Sequence, residues 1–307
     1  MEIAMSSNAA TSSTTHEHYY VPAQSRLPVW MAFGMFLTVF GAGKMMNDMS
    51  AGTQESSSHW WFFAGALVFA VVMYNWFSKV IRENHAGLNS VQLKKSYVWG
   101  MGWFIFSEVM FFAAFFGALF YVRQFVGPWI GGEGDKGITN YLYPGFEFSW
   151  PMMSNPDNSL FQAPQAVIPA FGLPLINTII LIASSITLTV SHHALRAGHR
   201  KQLNIWLGAT VALGVIFLFF QAEEYIEAYL HLGLTLDSGI YGSTFFMLTG
   251  FHGAHVTIGT FMLAVQLVRS IRGHFKAEDH FGFEASAWYW HFVDVVWLCL
   301  FVVVYWI

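Results

Sequence analysis

The sequence predicts an all-α integral membrane protein with seven transmembrane helices, and three observations predict it. Charged residues make up only 10% of the 307-residue chain, whereas apolar residues are 55% and aromatic residues 18%; an ordinary soluble domain carries roughly 25% charge. Seven apolar runs each approach or exceed the about 20 helical residues needed to cross a hydrocarbon core. Lys and Arg gather in alternate connections between the runs, as membrane topology demands. The mean hydropathy of +0.46 agrees, and the net charge of −4 gives no handle for nucleic acid.

The runs lie at 28–48, 60–81, 97–122, 171–193, 203–225, 241–268 and 285–307. Leu, Phe, Val and Ile fill them without period-two alternation, which favours helices over a β-barrel. Residues 1–27 form a polar tail rich in Ser and Thr. It has no apolar h-region, so the first span is expected to insert uncleaved; residues 28–307 then form one transmembrane domain. Lys44 and Asp48, four apart at the end of the first span, read as a snorkelling interfacial pair. The second span closes on WFSKVIRE at 76–83. The third carries Glu108 near its middle, about 16 Å of helix from Tyr97. Residues 123–168 are the only long connection, rich in Gly and Pro and containing Trp129, Trp150 and Pro151, and are expected to form an ordered surface loop. The sixth span holds His252 and His255, and the seventh His291 and Asp294. The only cysteine, Cys299, rules out an intrachain disulfide. No internal repeat is visible, so an inverted-repeat transporter has no support.

Orientation follows from the basic residues. With the N-terminus inside, Arg26, Lys79, Arg82, Lys94, Lys95, Arg196, Arg200, Lys201, Arg269, Arg272 and Lys276 are internal, and only Lys44, Arg123 and Lys136 external. That bias is strong and consistent from loop to loop. Glu133, Asp135, Glu147, Asp157, Glu224, Glu227 and Asp237 are predicted on the outer side. A retinal protein is excluded by the absence of lysine from 285–307.

Ionisable residues inside a membrane span cost a few kcal/mol and normally face a partner or a site. His252 and His255 are three apart, as are His291 and Asp294, so each pair shares a helix side. Converging imidazoles would suit a metal or haem. The surrounding Gly242, Gly250, Gly253, Ala254 and Gly259 suit instead a close interface knitted by hydrogen bonds. Spacing leaves both readings open. Glu108, as a lone carboxyl in hydrocarbon, is expected to be largely protonated at neutral pH; it reads either as a neutral acid bonded to another helix or as a lipid- or proton-related group. Trp76, Phe77 and Arg82, with Arg269 and His274, place cations and aromatics at the inner interface, a natural environment for a phosphate headgroup. His85, His274, Glu278, Asp279 and His280 could collect protons, since imidazoles titrate near neutrality, or could simply be solvated.

Five strings carry a family resemblance: GSTFFMLTGFHGAHVTIG (242–259), FGFEASAWYWHFVDVVW (281–297), SEVMFF (107–112), SHH (191–193) and QAEEYIE (221–227). In order, and over essentially everything from residue 28 onward, the chain resembles subunit III of the haem–copper cytochrome c oxidases. The resemblance implies a two-helix bundle (28–81) and a five-helix bundle (97–307) separated by a lipid-filled V-shaped cleft. Seven spans match the cytochrome c type, because the quinol-oxidase relatives lack the first two, and the long 123–168 loop looks bacterial. It implies an accessory subunit of an aa3-type complex that reduces dioxygen to water and pumps protons, in a bacterial inner membrane, with a cytoplasmic N-terminus and a periplasmic C-terminus. No catalytic residue, metal or other cofactor is then expected in this chain. Haem and copper would belong to partner subunits I and II, and cytochrome c would reach the complex through another subunit.

This chain would stabilise subunit I, hold structural phospholipids and support proton uptake. Under the same resemblance, Glu108 matches the family's membrane-buried glutamate and His252, His255, His291 and Asp294 become intramembrane polar packing, the hydrogen-bonding residues of spans six and seven. Trp76, Phe77, Arg82, Arg269 and His274 become lipid contacts, and His85, Glu278, Asp279 and His280 candidate proton collectors. The alternatives are a cytochrome b-like electron carrier binding haem through the buried histidines, or a proton or ion channel using Glu108 and Asp294.

Overall fold

The computed structural model describes residues 21, 23–51 and 57–306; most of the polar tail read from the sequence lies outside the described residues. Among them, seven helices are long and apolar enough to span a membrane, and no strand occurs. They are α1 (Leu27–Ser50), α2 (Ser58–His85), α3 (Val91–Tyr121), α4 (Leu173–Arg196), α5 (Arg200–His231), α6 (Ile240–Ile271) and α7 (Phe281–Leu300). A π-helical stretch, Val122–Val126, and a short α-helical turn, Gly127–Ile130, prolong α3; a second π-helical stretch, Phe301–Trp306, prolongs α7.

Two helices overrun the apolar limits furthest. α3 starts at Val91 rather than Tyr97, and α5 continues to His231 rather than Tyr225. Hydropathy marks where apolar composition ends, whereas the backbone ladder continues as long as one face keeps packing. On α5 that face includes Gln221, Glu224 and Ala228, all buried. Glu224, read from the sequence as an outer-side acid, is therefore inside the helical bundle at 1% exposure.

The ends of α4 and α6 are set by glycine. Gly198 (φ +74°) and Gly273 (φ +73°) follow the last turns in the left-handed region, where a side chain would be strained. Gly198 and His199 donate back to the Leu195 and Ala194 carbonyls at 3.1 and 2.9 Å, and Gly273 and His274 to Ser270 and Arg269 at 2.9 and 3.0 Å. These bonds satisfy carbonyls that a helix end otherwise orphans.

The chain forms two compact units, Met1–Tyr97 and Val98–Ile307. In the first, α1 and α2 meet where both are smallest. A Cβ at Gly34 would lie 3.0 Å from the Phe69 amide nitrogen, and one at Gly65 would lie 2.6 Å from Thr38 Oγ1 and 2.8 Å from the Leu37 carbonyl carbon. Membrane helices associate by such close backbone approach, since lipid is as apolar as their side chains. Gly65→Val is expected to push α1 off α2 and cost about 1–3 kcal/mol. Gly43→Val, on the same pair but with nothing within 4 Å of its Cβ, is the control. Equal thermal midpoints for the two variants in detergent would remove the basis for a tight contact.

In the second unit, α4, α5, α6 and α7 together hold a core of fully buried Leu188, Leu207, Phe217, Val256, Leu263, Trp290 and Trp297. Trp290 sits against two glycines on different helices: a Cβ at Gly214 would meet its ring at 2.8 Å, and one at Gly259 at 2.9 Å. Its Nε1 donates to Ser184 Oγ at 2.9 Å, and Trp297 Nε1 to Thr178 Oγ1 at 2.9 Å. Each buried indole N–H thus finds an acceptor on α4.

The long connection between α3 and α4 is ordered by its own polar groups. Asn140 Nδ2 donates to the Ile130 and Phe146 carbonyls at 2.7 and 3.2 Å. Buried Asn155 Nδ2 donates to the Phe161 carbonyl at 3.0 Å. Phe146, Met152 and Ile168 pack with Leu234, Tyr241, Phe245 and Phe246, which seats the loop on the α5–α6 connection. The Ser159 hydroxyl and amide hold the Asp157 carboxyl below the usual carboxylate range.

Candidate functional site

Glu108, His252, His255, His291 and Asp294 each have a specific neighbour on another element. Glu108 on α3 is not a lone carboxyl: its Oε2 lies 2.7 Å from His255 Nε2 on α6. The other ring nitrogen of His255, Nδ1, lies 2.6 Å from the Phe251 carbonyl. A carbonyl can only accept, so Nδ1 carries a proton and Nε2 faces the carboxyl group. One further proton then lies between the two groups. Placed on the acid or on the imidazole, it leaves the pair without net charge, which is the form a bilayer tolerates. Phe112 and Phe111 stand 4.9 and 5.8 Å from the imidazole centroid, and Tyr289 is stacked at 6.3 Å. Aromatic carbon lines the imidazole side of the pair, while the Glu108 side chain stays 22% exposed.

The neighbouring histidine does something else. His252, fully buried, hydrogen-bonds through Nε2 to the Val293 carbonyl at 3.2 Å. It lies 5.0 Å from the Trp297 ring and 5.7 Å from Phe217. His291 Nδ1 is 2.8 Å from Ser185 Oγ on α4, and the same hydroxyl donates to Asp294 Oδ2. Of these four residues only His252 ties α6 to α7, where Gln266 Nε2 also donates to Ser286 Oγ at 3.0 Å. His255 ties α6 to α3, and His291 with Asp294 ties α7 to α4. No three of them present ligand atoms to one point. Among the described residues, the one group of three or more potential metal ligands is His192, His280 and Glu284.

Sequence reasoning missed a further cluster. Tyr305 Oη donates to Glu224 Oε1 at 2.6 Å, and Tyr225 Oη lies 2.6 Å from Thr249 Oγ1. Gln221 and Glu224 both retain buried oxygen or nitrogen atoms without a protein partner. The signal was present in QAEEYIEA (221–228), where positions 221, 224 and 228 recur on one helix side.

At the other end of α6, Arg269 Nη1 donates to Gln266 Oε1 at 3.0 Å, and its guanidinium lies 4.7 Å from the Phe275 ring centroid. His274 and Asp279 are partly buried, and Glu278 is exposed. Trp76, Phe77, Arg82 and His85 are exposed on the last turns of α2 in the first unit. His280 departs from the reading as a solvated loop residue: its side chain is 9% exposed and faces Glu284 and His192.

The helices and their internally paired ionisable groups define a multi-pass membrane protein whose polar residues tie the bundle together. The family model for cytochrome c oxidase subunit III matches residues 16–129 and 162–307. A cytochrome c oxidase subunit 3 from Drosophila melanogaster is 39% identical over 298 residues, covering 96% of this chain and 98% of the relative. Those from Tetraodon nigroviridis and Pongo abelii are 42% and 43% identical over 245 residues, covering 79% of this chain and 82% of each relative. This chain belongs to the cytochrome c oxidase subunit III family, and with that to an oxidase complex of several subunits. Residues 130–161, most of the long loop, fall outside the family match.

Proposed function

We propose that this chain is an accessory subunit of an aa3-type oxidase, carrying no redox metal of its own. It buttresses subunit I, retains phospholipid and supports proton uptake by the complex, while subunits I and II hold haem and copper and receive electrons from cytochrome c. The observation that carries this reading is the way the intramembrane histidines are engaged. His252, His255 and His291 bond to α7, α3 and α4 respectively. A haem held in the manner of a cytochrome b would need two of them released and turned to one iron. The same pairing weighs against a channel, because Glu108 and Asp294 are both taken up by partners within the bundle.

Lipid retention rests on Trp76, Phe77, Arg82, Arg269 and His274. The first two are large apolar side chains left exposed at 42% and 59%, and Arg82 follows them within two turns. The strong bias of Lys and Arg toward one side supports a cytoplasmic N-terminus and periplasmic C-terminus. The loop residues outside the family match support a bacterial inner-membrane form. His85, Glu278 and Asp279 remain the proton-collecting candidates, with His280 placed more deeply than the others.

Affinity purification through a tag on this chain tests the reading. A large haem-bearing subunit should co-purify, and the haem should stay with that subunit after the chain is stripped from it. Haem retained by the isolated chain would favour the electron-carrier reading. Arg82→Ala combined with Arg269→Ala should lower tightly bound phospholipid, measured as phosphorus per complex; full retention would sink the lipid assignment.

A further inference from the structure

His192 on α4 meets His280 and Glu284 at the start of α7, and of the three only His280 has a role proposed above, as a proton-collecting candidate. His192 Nε2 and His280 Nε2 are 3.3 Å apart, and Glu284 Oε1 is 3.6 Å from the first and 3.2 Å from the second. We propose that these three residues form a binding site for a redox-inert divalent cation of the zinc type, joining α4 to α7.

The spacing is what a tetrahedral metal would impose. Zinc bound at about 2.0–2.1 Å holds its ligand atoms about 3.4 Å from one another, and all three observed separations lie close to that edge. Two imidazoles and one carboxylate form a recurrent zinc set that leaves a fourth position for water. Calcium or magnesium would want a cage of oxygens instead. His280 and Glu284 are four residues apart and so share a helix side, while α4 supplies the third ligand from across the bundle.

The hydrogen bonding leaves room for the cation. His280 Nδ1 lies 3.2 Å from the Lys276 carbonyl, which requires a proton on Nδ1 and directs the Nε2 lone pair at the Glu284 oxygen. Two acceptors facing each other at 3.2 Å need a positive centre between them, either a proton or a metal. The carbonyl behind the imidazole is the outer partner that metal-bound histidines commonly use to fix their tautomer. His192 and Glu284 side chains are 29% and 34% exposed, so an ion can enter without unfolding the bundle. The proposal departs from the expectation of a chain without metal but leaves the redox assignment untouched, because zinc has no redox chemistry.

The test uses the purified complex, stripped with chelator and dialysed against zinc, with metal counted per complex. Wild type should hold one zinc more than His280→Ala or His192→Ala, and that difference isolates the site from metals of the other subunits. Titration should show zinc binding at least about tenfold weaker in either variant, with exposed His231→Ala unchanged. Cobalt supplied to the wild-type complex, against a His280→Ala baseline, should add the intense visible bands of a tetrahedral ion. That spectrum, unlike the zinc count, also checks the geometry. Equal zinc content and affinity in wild type and both variants would overturn the proposal, as would a cobalt difference spectrum without tetrahedral bands.

Discussion

Trp290→Ala is expected to cost the second unit about 3 kcal/mol and to lower its thermal midpoint in detergent by several degrees. The estimate comes from packing. Within a membrane bundle little apolar surface moves out of water on unfolding, so the main loss is the void left behind. At about 24 cal/mol per Å³, a residual cavity of roughly 130 Å³ gives that figure. The helices cannot close over it easily, because Gly214 and Gly259 already bring two backbones against the ring and have no side chains to swing inward. Ser184, which accepts from the indole at 2.9 Å, loses that donor as well and keeps only its own bond to the Leu181 carbonyl. Trp103→Ala, at a position 66% exposed on α3, should change the midpoint far less. Comparable losses at the two tryptophans would show that the Trp290 packing is not a determinant of stability.

The second large effect is expected at the Glu108–His255 pair. His255→Leu leaves the carboxyl without its acceptor, and Glu108→Leu leaves the imidazole with an unused Nε2. Each single change should cost about 1–3 kcal/mol for an orphaned polar group. Replacing both should recover much of that loss, giving a coupling energy on the order of 1–2 kcal/mol in a double-mutant cycle. Glu108→Gln separates the roles of the pair. A glutamine amide can still donate to His255 Nε2, so stability should stay near wild type, whereas the shared proton is gone. A fall in proton-pumping turnover with an unchanged thermal midpoint would assign the pair a protonic role. Unchanged turnover would leave it with a structural one, and strictly additive single changes would mean that the 2.7 Å contact carries no energy.

Much of the architecture was readable without coordinates because a bilayer constrains sequence severely. Backbone groups in hydrocarbon must bond within their own helix, so each span declares itself as a long apolar run. Polar exceptions stand out against that background, and Glu108, His252, His255, His291 and Asp294 were all visible as such. The Glu224–Tyr305 bond was not. Glu224 lies near a span end, where composition alone cannot separate a buried acid from a solvated one, and Tyr305 is eighty-one residues further along the chain. The grouping of His192 with His280 and Glu284 was hidden for the same reason. SHH and the FGFE string were each recognisable, but nothing in either names the other as its neighbour.

By itself, then, the sequence determined the membrane class, the seven spans and the family, because hydropathy and motif identity are local properties. Only the tertiary structure decided which polar group answers which. Residues three apart on a helix differ by about 60° around its axis, enough for His255 to reach α3 while His252 turns to α7. Which helix stands at each bearing depends on how the small residues let backbones close, and that is a property of the packed bundle.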